Sequence, residues 1–186
     1  MPMQREVTTT YLEMLAISEL KPSSRDEPAF GFAQVQRISP ELNRFLYTAV
    51  GGQWYWLDRL GWSYQQWLDY LRQPTIQTWL GTYQGIPIGY CELVQEADGS
   101  AQIGYFGLLP QWYGQGLGGL LLTKVIQQAW QLTSSRVWLH TCTLDGPTAL
   151  ANYQARGFKL YDQKTEVVEL PSQAAGPWLG AYSNSI

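Results

Sequence analysis

At 186 residues and 21.1 kDa, the chain suits one domain with a good-sized core, so residues 1–186 are read as a single unit. A net charge of −3, a pI near 5.1 and the lack of any lysine or arginine run offer nothing to attract nucleic acid. No apolar run approaches the length of a membrane span, and no positively charged start leads into an apolar signal core, so the expected compartment is the cytoplasm.

Residues 1–5 read as frayed, and residues 7–14 are β-prone enough for a first strand. Residues 21–28 form a polar loop bounded by prolines. Ser39-Pro40-Glu41 supplies an N-cap, a first-turn proline and a first-turn acid; Leu42, Phe45, Leu46 and Ala49 follow at helical spacing until Gly51-Gly52 stops the helix. Ser63 caps a second helix, whose stripe is Tyr64, Trp67, Leu68 and Leu71 and which Pro74 ends. Residues 53–62, Gln-Trp-Tyr-Trp-Leu-Asp-Arg-Leu-Gly-Trp, lie between the helices. The chain holds nine tryptophans and twelve tyrosines, and aromatics in such excess either fill the core or line a pocket or an oligomer contact.

Residues 75–83 and 86–95 read as strands joined at Gln84-Gly85, and Asp98-Gly99 turns the second into a third, giving an antiparallel meander. A short strand is expected at residues 136–142, a short helix at 147–156, and one or two strands at 158–170. Cys91 and Cys142 fall in predicted strands and read as small buried apolar residues rather than a disulfide. From Pro171 the tail is rich in glycine, serine and proline; its Trp178, Leu179 and Tyr182 are candidates to dock on the body or on a second subunit, so a homodimer is among the expectations.

The most informative stretch is residues 103–122, an uncharged strand, a glycine turn and the start of a helix. Pro110 closes the strand, and Gly114, Gly116, Gly118 and Gly119 strip the β-carbons from a short bend. Leu121, Leu122, Val125, Ile126, Ala129, Trp130 and Leu132 then recur at helical spacing. Bare N–H groups and the positive end of a helix dipole make an anion site, most often for phosphate. A Walker loop would need a lysine and a hydroxyl residue where Gly119 and Leu120 stand, so that reading fails. A dinucleotide turn would ask for an acid about twenty residues on, and residues 134–137 hold no carboxylate.

Residues 111–118, Gln-Trp-Tyr-Gly-Gln-Gly-Leu-Gly, resemble the Arg/Gln-x-x-Gly-x-Gly/Ala signature of the GCN5-related N-acetyltransferases; the alternative is a ligand-free connection. Residues 148–158, Thr-Ala-Leu-Ala-Asn-Tyr-Gln-Ala-Arg-Gly-Phe, resemble the same family's Ala-x-x-x-Tyr-x-x-x-Gly-Phe segment, in the family's order and at a family-like separation. The resemblance implies an α/β (α+β) fold with a mixed, mostly antiparallel sheet of about six or seven strands and about four helices, with a splayed strand pair holding CoA. Residues 7–74 would then form the first strand and acceptor-side helices, 75–170 the central sheet and CoA-binding core, and 171–186 the tail.

Carried onto this sequence, the resemblance makes acetyl-CoA the cosubstrate and an amine-bearing small molecule the acceptor, with no metal, nucleic acid or membrane involved. Amides around Gly114, Gln115, Gly116, Leu117, Gly118 and Gly119 would bind the phosphates. Backbone around Leu108 and Leu109 would pair with pantetheine and polarise the acetyl carbonyl, which gains charge in the tetrahedral intermediate. Tyr153 would protonate the departing thiolate, or else is a packed helix tyrosine; Asn152 contacts pantetheine or only caps. Residues 53–62 would shape the acceptor site or simply cover the sheet.

For the proton of the amine, Glu92 is the leading candidate base: by alternation it shares a face with Ile88, Tyr90 and Val94, unless strand twist turns it to solvent. His140, the sole histidine, has a suitable ordinary pKa, against a structural role beside Trp138 and Cys142. Asp145 is either a helix cap before Pro147 or an acceptor-side acid. Three positions depart from the family pattern: Tyr113 stands where many members carry arginine, Gln102 where histone-acetylating relatives place a glutamate base, and Gly146 where an asparagine precedes the tyrosine helix. Those departures keep two alternatives open, a non-catalytic acyl-CoA-binding module and a peptide or protein amine acetyltransferase.

Overall fold

Seven strands and four helices alternate along the chain in this computed structural model, which describes residues 2–177. They are β1 (Met3–Met14), β2 (Phe30–Gln34), α1 (Pro40–Gly51), α2 (Tyr64–Leu71), β3 (Ile76–Tyr83), β4 (Ile86–Gln95), β5 (Ala101–Leu108), α3 (Leu117–Leu132), β6 (Val137–Cys142), α4 (Ala149–Ala155) and β7 (Lys159–Leu170). The strands form one sheet in the order β2-β3-β4-β5-β6-β1-β7. All neighbours are antiparallel except β5 and β6, whose crossover is α3.

Local chemistry sets the element ends. Ser39 accepts from the amide of Leu42 at the start of α1, and Ser63 and Gln66 form a reciprocal capping box on α2. Gln84 and Gly85 both have positive φ in the two-residue link between β3 and β4, the backbone that a tight hairpin requires. Two expectations change. Met3, Gln4 and Arg5 are not frayed but pair with Leu170, Glu169 and Val168 of β7, and Phe30–Gln34 adds an edge strand along β3 that no sequence pattern announced.

Helix α3 buries Leu121, Leu122, Val125, Ile126 and Ala129 completely against one face of the sheet, where Leu12, Met14, Leu93 and Tyr153 complete the main cluster. At about 1.5–3 kcal/mol for each fully buried aliphatic side chain, this is the largest apolar cluster in the fold. Helices α1 and α2 cover the other face through Leu46, Val50, Tyr47 and Trp67. Strand β4 serves both faces by alternation, Cys91 and Leu93 toward α3 and Tyr90 and Glu92 toward α1, and its register slips between Gly81↔Gly89 and Thr82↔Pro87, leaving Ile88 as an extra residue. Ile88 therefore packs with the α3 cluster, whereas Tyr90 packs with α1, so the single face expected for Ile88, Tyr90 and Glu92 is broken at the bulge.

Among the described residues no helix is long and apolar enough to cross a membrane. Trp178, Leu179 and Tyr182 lie outside the described residues.

Gly89 is held in a tight place: a β-carbon there would strike the carbonyl oxygen of Gly107 and lie 2.9 Å from the Leu108 Cα. Gly89→Ala should lower stability by about 1–3 kcal/mol in a urea titration, and a midpoint unchanged from wild type would show that β4 and β5 separate easily at this pair.

Candidate functional site

Strands β5 and β6 hydrogen-bond only at Ala101↔Val137 and Gln102↔Trp138 and then part. A cavity of about 1000 Å³ opens there, running from the glycine loop past Leu108, Asn152 and Tyr153 to Trp54, Asp58 and His140. The Leu109 amide donates to the Ile88 carbonyl at 2.7 Å, toward β4. By strand alternation the Leu108 amide points the opposite way, into the gap where β6 no longer pairs. Of the two expected carbonyl-polarising residues, Leu108 thus faces the cavity, while Leu109 has its amide committed and does not line it.

The glycine loop bends through left-handed backbone at Gly114 and Gly116, which glycine adopts without strain. Gly116 is the N-cap of α3 and offers no side chain to it, so the first-turn amides at Leu117, Gly118 and Gly119 have no capping partner. Gly114 and Gly118 line the cavity; Gln115, Gly116, Leu117 and Gly119 flank it. Two guanidinium groups come to this turn. Arg25 donates from Nη1 to the Gln115 carbonyl at 2.5 Å, and a β-carbon on Gly119 would sit 3.2 Å from Nη1 of Arg156. Tyr113 carries no charge to the loop. Its hydroxyl accepts from Trp54 Nε1 at 3.1 Å and Gln53 Nε2 at 3.2 Å, tying the loop to the aromatic segment.

Tyr153, one face of the α4 helix, is 7% exposed, and its ring meets Phe106 and Phe158 edge-on. Burial first, and the Asp145 charge second, push its phenol well above its ordinary pKa, so it stays protonated. Asp145 does not cap α4, whose N-cap is Thr148; its Oδ2 accepts from the Thr141 hydroxyl at 2.6 Å and the Cys142 amide at 3.0 Å.

Across the cavity, Asp58 accepts from the hydroxyls of Tyr47 at 2.7 Å and Tyr105 at 2.5 Å. Burial, reinforced by Asp58, pushes the Tyr47 phenol up, and burial does the same for Tyr105; both remain neutral donors. His140 lines the same space. Its side chain is exposed toward that space, and loss of water around it lowers its pKa from 6.5, while Asp145 and then Asp58 pull the other way, so the ring is mostly neutral at pH 7.

Glu92 is fully buried and absent from the cavity lining. Its Oε2 takes Arg59 Nη1 at 2.7 Å and the Tyr70 hydroxyl at 2.9 Å, and its Oε1 takes Asn43 Nδ2 at 3.3 Å. Arg59, itself 8% exposed, lies 4.1 Å from the Tyr70 ring centre and 4.3 Å from that of Tyr105. The structure therefore brings His140, Tyr153, Asn152 and Leu108 to one cavity, and sets Glu92 behind Arg59.

Residues 36–158 match the profile described as the Acetyltransferase (GNAT) family. The chain belongs to this family. The GNAT fold is borne out by solved structures: a GCN5-related N-acetyltransferase from Kribbella flavida is 20% identical, with a TM-score of 0.63 over 91% of this chain and 60% of that one. Another from Sphaerobacter thermophilus is 18% identical, with a TM-score of 0.63 over 94% of this chain and 56% of that one. The chain thus spans roughly 60% of the length of those two proteins. The ribosomal-protein-S18-alanine N-acetyltransferase from Escherichia coli is 16% identical, with a TM-score of 0.55 over 79% of this chain and 96% of that one. No curated protein matches the sequence. The expected mixed seven-stranded sheet with four helices and a splayed pair is the fold observed.

Arg25, Arg156, Asp58 and Arg59 were missed by sequence reasoning. Arg156 stands one helical turn after Asn152 in a segment already singled out, and Asp58-Arg59 lies in the aromatic segment; for Arg25 there was no signal. Arg59→Met should cost about 3–5 kcal/mol in a urea titration because Glu92 would be left buried and unpaired, and adding Glu92→Leu should recover most of it. Equal losses in the single and double variants would contradict that account of the pair.

Proposed function

We propose that the protein is an acetyl-CoA-dependent N-acetyltransferase that passes the acetyl group directly to a primary amine of a small-molecule acceptor. The reading is carried by one cavity that holds an inward backbone amide, a protonated phenol and a neutral imidazole in sequence from the glycine loop to the aromatic segment. The bare amides of the first turn of α3 suit a diphosphate, with Arg156 close by supplying charge that Tyr113 does not, while Arg25 is paired with Glu27 at 2.9 Å. The gap between β5 and β6 suits an extended pantetheine arm, with Asn152 on one wall.

In this scheme His140 takes a proton from the acceptor ammonium, and the free amine attacks the thioester carbon. The Leu108 amide donates to the carbonyl oxygen as it gains charge. Carbon–sulfur cleavage expels the thiolate, Tyr153, which burial keeps protonated, gives it a proton, and the proton left on the new amide nitrogen passes through water to restore the phenol. We assign proton abstraction to His140 ahead of Glu92, because Glu92 has no exposed surface and both of its oxygens are occupied. Glu92 acts instead as a positioning residue that anchors Arg59 beneath the acceptor space.

A thiol-release assay with acetyl-CoA and an amine panel tests the scheme. Tyr153→Phe should lower kcat about a hundredfold with the KM for acetyl-CoA little changed. An undiminished kcat would remove Tyr153 from the chemistry, and acetyl-CoA binding without turnover of any amine would favour a non-catalytic module.

The pH profile tests the base. Because His140 must be neutral and its pKa is lowered from 6.5, kcat should rise with pH through a midpoint below 6.5. His140→Asn should abolish that limb and lower kcat about a hundredfold. A limb that persists in the variant would assign it to another group.

A further inference from the structure

The acceptor end of the cavity has an unusual charge balance. Its lining holds three charged side chains, Asp58, Arg59 and Asp145. Arg59 is cancelled by Glu92 at 2.7 Å and enclosed by the Tyr70 and Tyr105 rings, so it has little charge left to offer a ligand. The two aspartates have no such partner. Asp58 is exposed and held by two phenols, and Asp145 by a hydroxyl and a backbone amide; all four donors are neutral and orient the carboxylates without discharging them.

Aromatic faces reinforce the sign. Trp54, Tyr55 and Trp56 line the same cavity, and the Tyr55 ring already carries a cation, the Arg5 guanidinium at 5.9 Å from its centre. A ring-walled space with two undischarged carboxylates disfavours a carboxylate or phosphate on the acceptor and favours a second positive charge.

We infer that the acceptor is a diamine or polyamine, whose one amine is acetylated beside His140 while a second, still protonated nitrogen pairs with Asp58. The inference rests on the acetyl-transfer reading and goes beyond it by assigning the class of acceptor. Asp58 is then a specificity-determining residue: its negative charge selects among amines that the catalytic groups alone would treat alike.

Three amines of similar length separate the outcomes: butane-1,4-diamine, butan-1-amine and 4-aminobutanoate, assayed with acetyl-CoA and the full chain. The diamine should show kcat/KM about tenfold above the monoamine, with 4-aminobutanoate lowest, and the diamine advantage should shrink as salt is raised. Asp58→Asn, which removes the charge and keeps a carbonyl oxygen as acceptor for one of the two phenols, should bring the ratio of diamine to monoamine toward one. Calorimetry of the diamine against CoA-saturated protein gives a readout independent of turnover, and binding there should weaken about tenfold in the same variant.

A monoamine used as well as the diamine by the wild type, or a ratio unmoved by salt and by Asp58→Asn, overturns the inference and leaves acetyl transfer standing. Failure to bind acetyl-CoA, or to turn over any of the amines, overturns the underlying reading and the inference with it.

Discussion

The parting of β5 from β6 after two residue pairs is the constraint on which the site depends. Parallel strands joined by a crossover helix ordinarily continue to pair along their length. Here β5 changes register at Gly104, opposite the step from Glu92 to Leu93 in β4, and such a bulge bends and twists a strand. Beyond it, the amides of β5 on the β6 side lose their partners. Such donors then face the cavity, where water or a ligand can satisfy them. Helix α3 begins where the gap ends, so the bare first-turn amides stand at its mouth.

Polar groups buried under α1 and α2 obey a different economy. Moving Glu92 and Arg59 out of water is costly, and their pairing offsets this only because Tyr70, Asn43 and the surrounding rings complete the shell. Such a pair contributes little net stability over an apolar equivalent; what it does is fix the floor of the acceptor space. It also consumes the only guanidinium of the lining, which leaves Asp58 and Asp145 to set the field there. Neighbours in sequence thus part ways, Asp58 held by two phenols and Arg59 by the buried Glu92.

Much of this was legible in the sequence where a local rule acted alone. Ser39 and Ser63 announced their helices, Gln84-Gly85 its hairpin, and the glycines at 114, 116, 118 and 119 the turn before α3. The longest-range features were not legible. Edge strand β2 lies in an unpatterned stretch and exists because β3 offers it an open edge. The face that Glu92 shares with Tyr90 was legible by alternation, but not the departure of Ile88 from it at the bulge, nor the pairing of Glu92 with Arg59 and Tyr70 from segments distant in sequence. Asp145 looked like a cap by its place before Pro147, yet the hydroxyl of Thr141 and the amide of Cys142 compete for it across the turn. Arg25 reaches Gln115 across ninety positions, and no spacing rule spans that distance.

Tyr113 shows how one substitution redistributes a task. An arginine at that place would bring charge to the loop but would be a poor match for the indole N–H of Trp54, which needs an acceptor. A phenol oxygen is such an acceptor, and in this position it binds the side chains of both Gln53 and Trp54. The loop that precedes α3 is thereby fastened to the aromatic segment, whose Trp54, Tyr55 and Trp56 also line the cavity. Two guanidinium groups from other segments stand at glycines of the loop, Arg156 at Gly119 and Arg25, itself paired with Glu27 at 2.9 Å, at Gly116. The exchange leaves the glycine loop and the aromatic segment joined through a single uncharged side chain.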